Sequence, residues 1–233
     1  MTFSILVHDA QTNAIAGAAA TGSLCVGGWV LRGRWGAGMS ASQGAAPSTI
    51  WGESVLDEMQ GGAGAAEAVR EITGADPGRE WRQLAALGMG GEGACFTGNQ
   101  NTALTAHHVF AGGVASGNML GSKAVPEAMA RSYLEAEGNL PERLMAALWG
   151  AAEEGSDKRG LLSAALLVLR SDAPPLTLRI DHSDTPLEAL GDLLHRATSG
   201  DYGDWARQVP TLAAPHRVLD AELTGTLVPE PEE

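Results

Sequence analysis

Antiparallel sheets covered by helices are what this sequence predicts, as an α+β fold or as a four-layer αββα sandwich. Three observations carry that reading. Strand-like and helix-like segments come in blocks (strands, two helices, strands, two helices, strands, helix) without strict βαβα alternation, which argues against a doubly wound parallel sheet. Glycine makes up 31 of 233 residues and, with alanine, crowds the first half, where small residues suit close-packed strands and turns better than a helical bundle. Clusters of Gly, Pro, Asn, Asp and Ser punctuate the apolar runs as turns do.

Taken in order, Thr2 to His8 alternates apolar and polar residues and runs into the turn cluster Asp9-Ala10-Gln11-Thr12-Asn13. Ala14 to Ala20 returns as a second strand, completing a hairpin. Leu24 to Leu31 reads as a further apolar strand, and Arg34 to Gln43 as another with Gly36 and Gly38 inside it, a sign of a bulge or of a close backbone approach. Ser48 caps a helix whose Trp51, Val55, Leu56 and Met59 share one face, closed by Gly61-Gly62. Ala65 to Ile72 makes a second helix. Asp76-Pro77-Gly78 is a turn and Arg79 to Leu84 a helical turn. Ala85 to Met89 and Gly93 to Thr97 form a hairpin around Gly90-Gly91-Glu92, and His107 to Gly112 is a further strand. Ala124 to Glu135 and Pro141 to Glu154 are amphipathic helices. Ser163 to Leu169 and Leu176 to Asp181 are strands, and Pro186 to Ala197 is the last helix. Residues 1–227 read as one domain, followed by an acidic, disordered tail at 228–233.

Charge narrows the function classes. Fifteen Lys and Arg against 28 Asp and Glu leave a formal charge of −13, which suits neither a nucleic-acid backbone nor an anionic membrane surface. No run is long and apolar enough to predict a membrane span, and the start does not read as a signal peptide. Cys25 and Cys95 are far apart, without zinc spacing or a CxxC pair. The expectation is a cytoplasmic protein that acts on a small molecule, without metal or cofactor. Trp51, Trp149 and Trp205, with the segment Asp201 to Trp205, are candidate contacts of a homo-oligomer, a dimer in the first instance.

Nucleophile elbows, HExxH, Walker and dinucleotide-binding motifs are absent. The six histidines are scattered, and both cysteines sit in apolar strand-like surroundings where a thiol is an inert small hydrophobe. The Gly88 to Gly93 stretch reads as a hairpin turn. Thr2 is the informative position. Initiator Met is commonly removed before so small a residue, and a terminal threonine then carries its own base. Its free α-amine has a pKa of about 7.7–8.0 and accepts the hydroxyl proton near neutral pH.

Several segments, in order along the chain, then point to a family. They are Thr2-Phe3-Ser4-Ile5, Gly36 to Gln43, Asp76-Pro77-Gly78-Arg79-Glu80, Phe96-Thr97-Gly98, Gly117-Asn118-Met119-Leu120, and Asp157 to Gly160 leading into Ser163 to Leu167. This series resembles the bacterial family known as domain of unknown function 1028, over residues 2 to about 205. The resemblance implies an N-terminal-nucleophile (Ntn) hydrolase-like fold, a four-layer αββα sandwich of two antiparallel sheets flanked by helices. It further implies Thr2 as nucleophile, a pocket loop at Thr21-Gly22-Ser23, and an oxyanion-binding amide near Ala41, Ser42 and Gln43. Asn118 and Arg159 are polar residues at element junctions that suit a substrate site. Proteasome-type sites place a lysine near the threonine, whereas the two lysines here, Lys123 and Lys158, lie far along the chain. The expected activity is hydrolysis of a small amide or peptide-like bond. The alternatives are a non-catalytic binding or assembly module that keeps Met1, and an enzyme with an internal nucleophile at Ser23 or Ser42.

Overall fold

The chain opens with a hairpin, Thr2–Asp9 (β1) and Ala14–Thr21 (β2), in a computed structural model that describes residues 2–101, 104–155 and 160–218. The register runs from Thr2 opposite Thr21 to Asp9 opposite Ala14. Asn13 takes the left-handed turn position, φ 50°, which Asn tolerates well. Next comes one helical turn, Val26–Trp29 (α1), and then a short hairpin of Leu31–Arg34 (β3) and Gly38–Gly44 (β4).

Both segments depart from the sequence expectation. Leu24 to Leu31 does not form one strand. Cys25 sits at φ 59°, and α1 lies so close to the sheet that a Cβ on Gly27 would meet Ala165 Cβ at 2.7 Å. Arg34 to Gln43 is likewise not one strand, because Gly36 (φ 88°) and Gly38 (φ 138°) turn the chain back on itself.

Helices Thr49–Gln60 (α2) and Ala65–Gly74 (α3) follow as expected, with the Ser48 hydroxyl accepting from the Trp51 amide at 3.3 Å as an N-cap. A 3-10 turn at Arg79–Trp81 leads into Arg82–Gly88 (β5) and Gly93–Thr97 (β6). Leu104–Phe110 (β7) pairs with Gly113–Leu120 (β8), a strand the sequence reading did not predict. Most of its residues are small or polar and it is buried along nearly its whole length, so no alternation betrays it. Val125–Glu135 (α4), Leu140–Gly155 (α5), Ser163–Leu169 (β9), Leu176–Ile180 (β10), Pro186–Thr198 (α6) and Gly200–Ala206 (α7) complete the described elements.

Among the described residues the strands form two antiparallel sheets, β10-β9-β2-β1-β8-β7 and β3-β4-β5-β6. Three apolar clusters separate four layers. Phe3, Ile5 and Val7 of β1 pack with Met129 of α4 and Leu144 and Leu148 of α5 on the outer face of the larger sheet. Leu6 and Ile15 meet Met39 and Leu87 between the sheets. Trp51, Val55, Leu56 and Val69 cover the smaller sheet with Leu84 and Ala86. This is the αββα sandwich. Each fully buried Leu, Ile or Phe contributes about 1.5–3 kcal/mol.

Small residues in β2 let the two sheets approach. A Cβ on Gly17 would lie 2.9 Å from Leu6 Cδ2 and 3.2 Å from Met39 Cε. Trp51, expected as an oligomer contact, is instead buried, 4% exposed, with its ring edge-on to Phe96 at 6.1 Å. Among the described residues no helix is long and apolar enough to cross a membrane. The tail at 228–233 lies outside the described residues.

Candidate active site

Strand alternation sends Phe3, Ile5 and Val7 to the helices and therefore turns Thr2, Ser4 and Leu6 toward the smaller sheet. Thr2 stands at the end of a central strand, opposite Thr21 on one neighbour and Asn118 on the other. The Thr2 and Thr21 hydroxyls share a hydrogen bond of 2.9 Å, and the Ser23 amide donates to Thr21 Oγ1 at 3.3 Å.

One step deeper, a neutral polar network crosses between the sheets. Ser4 Oγ donates to Gln43 Oε1 at 3.1 Å and lies 3.2 Å from Ser116 Oγ. Gln43 Nε2 donates to Gln83 Oε1 at 2.7 Å. Gln83 Nε2 lies within reach of Thr97 Oγ1 at 2.9 Å and of the Gly117 carbonyl at 3.1 Å. These buried groups answer one another and hold the strand ends in register.

In front of Thr2 lies a cavity of about 390 Å³. Thr2, Thr21, Ser23, Gln43, Gly44 and Asn118 supply its polar lining, and Leu24, Val26, Trp29, Val30, Pro47 and Met119 its apolar walls. The cavity exists because the chain curls into α1 rather than extending β3 along β4. The Ser42 amide still donates to Val30 O at 3.1 Å. Alternation directs the Gly44 amide to the same edge, where α1 has taken the place of a strand.

Gly44 has φ 134°, and a Cβ there would strike Trp81 O at 2.7 Å. Asn101 fixes the next turn, its Oδ1 accepting from the Ala45 amide at 2.9 Å while Nδ2 donates to Arg82 O and Gly98 O, each at 3.0 Å. On the opposite rim Met119 has φ 55°, close to the register shift between β7 and β8.

Of the residues that the sequence singled out, Thr2, Thr21, Ser23, Gln43 and Asn118 meet at this cavity. Ala41 and Ser42 do not. Ala41 is paired in the sheet on both sides and packs between the sheets. Ser42 faces α2, its hydroxyl donating to Ser48 O at 2.7 Å and its amide to Val30 O at 3.1 Å, and it does not line the cavity. Gly44, one residue past the predicted set, also lines the cavity. Arg159 lies outside the described residues. Ser4, Gln83, Asn101 and Ser116 were missed, because isolated Ser, Asn and Gln carry no spacing signal.

Cys95 is half-buried, and desolvation of its thiol pushes it up to about 12, which a hydrogen bond with Thr97 only partly offsets. That suits an inert packing role. Among the described residues no three His, Cys, Asp or Glu side chains are grouped to hold a metal ion.

No curated protein matches this chain. Among solved structures, a protein from Silicibacter pomeroyi assigned to the DUF1028 family model is 55% identical, with a TM-score of 0.91 over 94% of this chain and 99% of its own. Eukaryotic HslV from Trypanosoma brucei is 15% identical, TM-score 0.44, over 72% of this chain and 99% of its own. Anbu (ancestral beta-subunit) from Yersinia bercovieri is 14% identical, TM-score 0.39, over 82% and 94%. The model of the family of unknown function DUF1028 matches residues 2–190. With that match and a 55% identical relative spanned almost end to end, the chain belongs to the DUF1028 family.

Proposed function

We propose that this protein hydrolyses a small amide or peptide-like bond, with Thr2 as nucleophile once Met1 has been removed. One observation carries the reading: the Thr2 side chain stands at the end of a central strand, on the wall of a cavity, hydrogen-bonded to Thr21 and across from Asn118. Thr2 Oγ1 attacks the substrate carbonyl carbon, and its proton passes to the α-amine. In this reading the Gly44 amide, on the cavity edge, donates to the oxyanion. Collapse breaks the C–N bond, and the leaving amine takes the proton from the α-ammonium. Water then attacks the resulting ester and gives a proton to the α-amine; collapse breaks the ester C–O bond, and the α-ammonium returns that proton to Thr2 Oγ1 as the acid leaves. No cofactor enters these steps.

The same reading makes the protein a single cytoplasmic domain over residues 1–227 that assembles as a homo-oligomer. The exposed Trp149, and Trp205 paired with Tyr202 at 5.3 Å, support the assembly.

Intact mass of untagged protein, followed by an amide-hydrolase screen with Thr2→Ala as control, tests the reading. A mass lower by one methionine and turnover lost in Thr2→Ala support it. Retained Met1 with ligand binding but no turnover would instead support the non-catalytic binding module.

A further inference from the structure

Two features of the cavity are left unused by the hydrolytic steps. Asn118 is 1% exposed and lines the cavity opposite Thr2, yet its Nδ2 is buried without a hydrogen-bond partner. An orphaned buried donor is costly, and a ligand acceptor would relieve that cost. The second feature is the apolar wall. Val26 and Val30 form its buried part, while Leu24 and Trp29 stand at the mouth 54% and 53% exposed. Large apolar side chains held at the rim of a cavity invite an apolar ligand group.

Resting on the hydrolytic reading above, we infer that the substrate is a peptide-like amide with an apolar side group beside the scissile carbonyl and a second carbonyl one residue away, bound by Asn118 Nδ2. Spacing supports the pairing. Residues opposed in an antiparallel ladder lie about 4.5–5.5 Å apart at Cα, and one extended residue spans about 3.3–3.6 Å. A carbonyl one residue from a bond held at Thr2 therefore falls within reach of the Asn118 carboxamide. The apolar side group then lies against Trp29 and Leu24, and the cavity size suits a ligand of this kind.

Three coumarin amides test this on the Met1-free enzyme: N-acetyl-leucyl, N-acetyl-glycyl, and 4-methylpentanoyl, which keeps the leucyl side group but lacks the second amide. The leucyl substrate is expected to exceed the glycyl one at least tenfold in kcat/KM. It should exceed the 4-methylpentanoyl one about tenfold. Asn118→Ala should abolish the second preference and Trp29→Ala reduce the first. If Asn118→Ala fails to fold, Asn118→Ser carries the same comparison.

Equal rates on all three substrates, or an Asn118 variant that keeps the preference, overturn the inference while leaving hydrolysis intact. If none is turned over, the hydrolytic reading falls, and calorimetric titration of N-acetyl-leucine methylamide into Thr2→Ala decides. Binding weakened about tenfold by adding Asn118→Ala upholds the recognition, and no binding overturns it.

Discussion

Thr2 owes its candidate role to position more than to chemical type. The hydroxyl is unremarkable, but strand alternation aims it at a cavity, and Thr21 orients it. Thr2→Ala is therefore expected to cost at least about 10³-fold in kcat/KM with an unchanged circular dichroism spectrum. A variant that keeps most of its activity would remove Thr2 from the chemistry. The proposed base works only when neutral, so kcat/KM should rise with pH through about 7.7–8.0 and level off above it. A profile flat from pH 6 to 9 would exclude the α-amine. Cys95 behaves in the opposite sense. A thiol held near 12 is protonated at pH 8 to all but about one part in 10⁴. Ellman's reagent should therefore react with the half-buried Cys95 far more slowly at pH 8 than with an ordinary thiol; labelling of Cys95 at the free-thiol rate would contradict the shift. Thr2 and Asn118 could be singled out in the sequence, one from its place behind Met1 and the other as a polar residue at an element junction. The Gly44 amide could not, since its exposure depends on where a neighbouring strand ends.

At the scale of elements, strong local signals matched the structure and weak ones did not. Ser48 followed by the apolar face of α2 is a cap and a helix by local rules. Ser48→Ala should cost about 1 kcal/mol of stability. The segment between β2 and β4 obeys no such rule. Leu24 to Leu31 is apolar enough for a strand, but Gly27 and Gly28 allow a helical turn pressed against Arg179 and Ala165. Gly38 shows how little freedom the following hairpin has. Its φ of 138° suits glycine alone, and a Cβ there would lie 2.2 Å from Leu87 O. Gly38→Ala should cost at least about 3 kcal/mol in urea unfolding. A loss below about 1 kcal/mol would mean that β4 and β5 can separate there freely. β8 stayed hidden because Gly, Ala, Ser and Asn in a strand buried on both faces produce no period-two pattern.

At the scale of the molecule, three apolar clusters tie four layers into one structure, and no layer stands without its neighbour. Unfolding in urea should accordingly follow a single transition by tryptophan fluorescence and circular dichroism alike. Two separated transitions would divide the proposed single domain. Leu148, fully buried between α5 and the larger sheet, is the clearest probe. Leu148→Ala should cost about 2–5 kcal/mol, lowering the melting temperature roughly 2–4 °C per kcal/mol. By itself the sequence determined the antiparallel class, the hairpins with strong turns, the Ser48-capped helix and the family, all of which depend on local pattern or on motif. Only the tertiary structure decided that α1 replaces a strand, that β8 flanks β1, and that Gly44 rather than Ala41 or Ser42 meets the cavity. Those outcomes depend on which strand edges find partners, a contest between segments distant in sequence that no local pattern records.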